Sequence, residues 1–190
     1  GTYPEILRTF GRSKPLIALS NIVQGTSNVL MTITISPATL IQPGSKLVIT
    51  FAGAGFACSS TPVAVQFKVP SSGSPSAVAS CASFVLTTKF DSGNFSMGKS
   101  ISFVVSNVTN PTASQIAQTN VMASLTTDAG IVIGRDFVGI FPAIHPGSLG
   151  TNLPAISLSS LTANSTLVSM FVTITPSDSL PVNANIFITL

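Results

Sequence analysis

What most constrains this chain is that it repeats itself. Residues 16–51 read LIALSNIVQGTSNVLMTITISPATLIQPGSKLVITF and residues 155–190 read AISLSSLTANSTLVSMFVTITPSDSLPVNANIFITL. The two align without a gap at a period of 139 residues, the difference between 156 and 17. Leu19 meets Leu158, Ser20 meets Ser159, Met31 meets Met170, Ile35 meets Ile174, Pro37 meets Pro176 and Ile49 meets Ile188. Unrelated strands have no reason to share a turn proline along with their apolar positions, so we read a tandem repeat with an incomplete second copy. So few strands cannot bury both faces of a sheet. The second copy therefore calls for a complement, either further repeats of the same chain or strands from another copy of it, as in donor-strand complementation.

The apolar residues within the repeat recur with a period of two. Val29, Met31, Ile33 and Ile35 alternate with Leu30, Thr32, Thr34 and Ser36, the pattern of a half-buried strand. Leu47, Ile49 and Phe51 continue the theme, as do Val63, Val65, Phe67 and Val69. Further runs follow at Phe84, Leu86 and Thr88, at Ile101, Phe103 and Val105, and at Val121, Ala123 and Leu125. Turn chemistry separates them, as at Gln42-Pro43-Gly44 and Asn110-Pro111. About seven short strands between Leu16 and Phe141, with no convincing helix, predict an all-β, antiparallel sandwich of the immunoglobulin type. The expected domains are a leader or linker over 1–15, a first sandwich repeat over 16–141, a Pro/Gly joint over 142–154, and the first strands of the second repeat over 155–190. The prolines of the joint favour an extended, semi-rigid connection.

Pro43-Gly44 followed by an apolar strand to Phe51, and Val108-Thr109-Asn110-Pro111, resemble immunoglobulin-like repeats of large extracellular proteins. The resemblance covers most of residues 16–141. It implies a structural or adhesive role and carries over no catalytic residue.

Composition narrows the function classes. Only 7% of the 190 residues are charged against 45% hydrophobic, with a mean hydropathy of +0.58, whereas ordinary soluble domains carry about 25% charged residues. Hydration must come from Ser, Thr, Asn and Gln, which suits a secreted or cell-surface protein. Eight Lys and Arg against five Asp and Glu leave a net charge of +3, too sparse for the basic stripe of a nucleic-acid partner. Arg8, Arg12 and Lys14 do gather near the N-terminus, where they read as a solvated leader. No apolar run approaches the ~20 residues of a membrane span. His145 is the only histidine, and no nucleophile turn, carboxylate pair or metal-ligand spacing accompanies it. No catalytic residue, metal or cofactor is predicted. One tyrosine and no tryptophan also weaken a sugar-stacking platform.

Three sets of residues remain. Cys58 and Cys81 are the only cysteines; a disulfide between them would stabilise the fold by roughly 3 kcal/mol and imply an oxidising compartment. Asn94-Phe95-Ser96, Asn107-Val108-Thr109 and Asn164-Ser165-Thr166 fit the acceptor pattern for covalent N-glycans. Between the copies, Thr32 becomes Phe171 and Val48 becomes Phe187, so the second copy should turn two large apolar groups outward as an interface. The expected function is a structural subunit of an extracellular filament, sheath or surface appendage. The alternative is an adhesin that binds a glycan or receptor through loops of the sandwich.

Overall fold

The computed structural model describes residues 11, 13–51, 55–70, 74–82, 84–93, 95–147, 155–176 and 185–188. Every regular element among them is a strand, and all strand pairings are antiparallel. The chain divides into two compact units, Gly1–His145 and Pro146–Leu190.

In unit 1, β1 (Leu16–Leu19), β2 (Val29–Ile35), β5 (Gln66–Val69) and β8 (Ile101–Val108) form a four-stranded sheet in the order β1-β2-β8-β5. A six-stranded sheet has the order β10-β9-β3-β7-β6-β4. Its members are β3 (Lys46–Thr50), β4 (Val63–Ala64), β6 (Ser76–Ala82), β7 (Val85–Ser92), β9 (Met122–Thr126) and β10 (Val132–Phe137).

Alternation decides which face of each strand turns inward. Val29, Met31, Ile33 and Ile35 of β2 are buried while Thr32 and Thr34 between them are half-buried. Leu47 and Ile49 of β3, Leu86 and Phe90 of β7, and Ala123 and Leu125 of β9 meet that surface from the other sheet within one core. The rings record the contact directly. Phe90 of β7 lies 6.0 Å from Phe103 of β8, edge-on at 87°, and 5.0 Å from Phe95. Phe67 of β5 packs 5.7 Å from Phe103. A second aromatic group, Phe51, Phe56 and Phe141, has ring centroids 4.9 to 5.5 Å apart. Such pairs add about 0.5–1.5 kcal/mol each to what their buried area contributes. Two sheets around one shared core make unit 1 a β-sandwich.

One lateral side is closed by the chain itself. β4 ends the six-stranded sheet, Val65 is buried, and β5 continues at once as the edge of the four-stranded sheet. A disulfide joins Cys58 to Cys81 of β6 across 23 residues, with their Cα atoms 5.5 Å apart, within the usual span. The Cys81 amide also donates to the Ser59 carbonyl at 2.9 Å. Replacing both cysteines by serine is expected to lower the stability of unit 1 by roughly 3 kcal/mol, read as a lower urea midpoint at unchanged slope.

The described part of unit 1 holds ten strands, more than the seven or so that alternation marks. β6, SAVASCA, turns Ala77 and Ala79 inward, and alanine against serine gives little hydrophobic contrast to read. β10, VIGRDF, is interrupted by a register shift between Val132 and Gly134. The run at 63–69 is two strands in different sheets. Phe84 lies in the turn before β7, left-handed at φ 68° and exposed, so it does not share the inward face of Leu86. The core also runs on past Phe141 to Ile144, whose amide and carbonyl pair with Gln115.

Candidate functional site

Unit 2 is built from the same local devices as the start of unit 1. β11 (Ala155–Leu158) pairs with β12 (Met170–Thr173) in the register Ala155↔Thr173 to Leu158↔Met170, and β1 pairs with β2 as Leu16↔Thr34 to Leu19↔Met31. Each residue of the β11–β12 pair lies 139 positions after its counterpart in the β1–β2 pair. The hydrogen bonds correspond as well. The Ser20 amide donates to the Leu30 carbonyl, and the Ser159 amide to the Ser169 carbonyl, both at 2.9 Å. The Leu30 amide donates to Ser20 Oγ at 2.9 Å and the Ser169 amide to Ser159 Oγ at 2.8 Å. The Val23 amide donates to Asn21 Oδ1 at 2.7 Å and the Thr162 amide to Ser160 Oγ at 3.2 Å. Left-handed residues recur too: Gly25 and Asn28 at φ 70° and 59°, Asn164 and Leu167 at 63° and 59°.

Burial does not correspond. Ile17 is 5% exposed and Ile156 48%; Met31 is 1% exposed and Met170 43%. Leu47 and Ile49 are buried, whereas Ile186 and Ile188 are exposed. In unit 1 β2 sits between β1 and β8, in the register Met31↔Val105, Ile33↔Phe103 and Ile35↔Ile101. Among the described residues β12 pairs only with β11. Ser159 and Ser169 are a hydrogen-bonded pair, so Phe171 and Thr173 direct their backbone groups to β11, and Met170 and Val172 direct theirs to the open edge. A mostly apolar hollow of about 500 Å³, lined by Ile156, Ser157, Leu158, Leu161 and Met170, opens on the same small sheet. Burying side chains of this size yields about 1.5–3 kcal/mol each.

Of the residues singled out by sequence, Phe171 stands exposed on β12, and Phe187 is exposed within 185–188, which form no strand. Cys58 and Cys81 come together as described. Asn107 is exposed in β8, left-handed at φ 58°, where the ladder to β2 slips between Val29↔Val108 and Met31↔Val105. Asn164 is exposed in the turn between β11 and β12. Asn94, Arg8 and Arg12 lie outside the described residues. His145 is exposed, and its backbone pairs with Val23. Among the described residues no three His, Cys, Asp or Glu side chains gather as a metal site, and no helix is long and apolar enough to cross a membrane.

Sequence reasoning singled out the two phenylalanines but passed over the more telling set, Ile156, Met170, Ile186 and Ile188. Their signal lay in the alignment of 155–190 with 16–51, in which each stands against a residue that unit 1 buries, Ile17, Met31, Leu47 and Ile49. No family model, curated protein or solved structure matches the chain.

Proposed function

We propose that this protein is a structural module of an extracellular filament, sheath or surface appendage, and that its assembly proceeds by adding an antiparallel strand to the open edge of β12. The observation that carries the proposal is the set of apolar side chains bared in unit 2 at positions that unit 1 buries. The partner is a further repeat of the chain or another copy of it, supplying the strand that β8 supplies in unit 1. The order β1-β2-β8-β5, with β10-β9-β3 opposite, supports an immunoglobulin-like identity, because that fold runs ABED on one sheet and GFC on the other. β6 and β7 then form a hairpin added beside β3. The disulfide and the scarcity of charge support an oxidising, extracellular setting.

The test is assembly of the chain, followed by sedimentation and electron microscopy. Val172→Pro removes a backbone donor from the open edge without removing one that β11 uses. It is expected to weaken the association constant at least about tenfold, equivalent to about 1.4 kcal/mol, while the unfolding midpoint of unit 1 stays unchanged. Dispersed monomers of the unsubstituted chain that retain ligand on a glycan array would sink the proposal in favour of an adhesin.

A further inference from the structure

We infer that Asn107 and Asn164 are N-glycan acceptors, and that both sites belong to one end of the repeat, leaving the strand edges bare. The backbone explains why asparagine stands at each position, since both are left-handed at φ 58° and 63° and asparagine tolerates that conformation. It does not explain the hydroxyl residue two places on, Thr109 and Thr166. Asn28 is equally left-handed at φ 59°, and Leu30 follows it, so it is no acceptor. Asn110 precedes proline and is buried, with Nδ2 donating to the carbonyls of Asn21 at 3.0 Å and Val23 at 2.8 Å. Asn107 and Asn164 are exposed, and neither side-chain amide is hydrogen-bonded to another described residue.

The common location follows from unit 1 and rests on the repeat reading proposed above. Asn164 occupies the place of Gly25 one period on. Gly25 donates to the Pro111 carbonyl at 2.7 Å, and Asn110 donates to the Thr26 carbonyl at 2.8 Å. The β1–β2 loop is therefore tied to the chain just after β8, three to four residues from Asn107 near the end of that strand. A Cβ built on Gly25 meets nothing within 4 Å. Side chains at that position point into solvent even where the sandwich is complete, so a glycan on Asn164 is compatible with completion of unit 2. The transfer forms a C–N bond from Nδ2 to the anomeric carbon of a lipid-pyrophosphate-linked oligosaccharide. The C–O bond to the lipid pyrophosphate breaks, and the amide proton leaves with that group.

The test is secretion of the full chain from eukaryotic cells in an Asn94→Gln background, with mobility read before and after peptide-N-glycosidase treatment. Two glycan steps are expected, one lost in Asn107→Gln and the other in Asn164→Gln, with assembly unchanged in both. An intact mass equal to the bare polypeptide overturns the inference, as does loss of assembly on glycosylation at either site. Phe171→Asn separates this outcome from failure of the assembly reading, because it creates Asn-Val-Thr on β12. Glycosylation there is expected to block assembly, with recovery when Thr173→Ala removes the acceptor pattern. A chain glycosylated at 171 that still assembles would refute the edge as the contact and leave Asn107 and Asn164 untouched.

Discussion

Phe90→Ala is expected to remove about 3–5 kcal/mol from the stability of unit 1, the largest loss of any single substitution considered. Phe90 is fully buried on β7 of the six-stranded sheet, and its ring reaches Phe67 and Phe103 of the opposite sheet as well as Phe95. Truncating it empties a space between β5, β7, β8 and the loop that carries Phe95, which these cannot refill without moving. A domain is commonly stable by only about 5–15 kcal/mol, so much of the variant should be unfolded well below the normal thermal midpoint. Equilibrium urea denaturation, followed by far-ultraviolet circular dichroism, measures the change. Phe171→Ala is the matched control, because that ring is exposed in unit 2 and its removal should leave the unfolding of unit 1 unaltered. A loss below about 1 kcal/mol for Phe90→Ala would mean that the two sheets do not share the core described above.

A chain ending at Gly147 is expected to fold with an unchanged unit 1 midpoint and to lose assembly altogether. All the buried hydrophobic side chains described lie between Ile17 and Ile144, and the disulfide lies within that span. The shortened chain therefore keeps every buried hydrophobic side chain among the described residues. What it loses is the open β12 edge and the bared set around Ile156 and Met170. Denaturation paired with sedimentation of the same preparations separates the two effects. Assembly that survives the truncation would move the contact to unit 1, where Leu16, Phe137 and Ile140 are exposed.

The fold was legible where contrast between neighbouring residues was strong. β3, and β2 from Met31 to Ile35, alternate large aliphatic residues with polar or smaller ones, and their inward faces follow from that. β6 hid because alanine and serine differ little in hydrophobicity, and β10 because Gly134 and a bulge shift its phase. The cysteines could be paired by elimination, being only two. The exposed apolar set of unit 2 was half legible: aligning residues 155–190 with 16–51 sets Ile156, Met170, Ile186 and Ile188 against residues that unit 1 buries, but such a position is bare or covered according to what packs on it.

That last distinction marks the boundary between the two sources of information. Period-two patterning is a relation among near neighbours, so the chain read alone tells which side of a strand is apolar, and the 139-residue offset between residues 16–51 and 155–190 tells which residues of the two segments to compare. Strand adjacency is a relation among residues far apart. β3 lies between β7 and β9, and β8 between β2 and β5, because closing those long loops is offset only by joint burial in one core. The crossing at Val65, the meeting of Phe90 with Phe103 and the open edge of β12 are all of this kind. They came from the folded chain, since burial depends on what lies opposite a side chain as much as on the side chain itself.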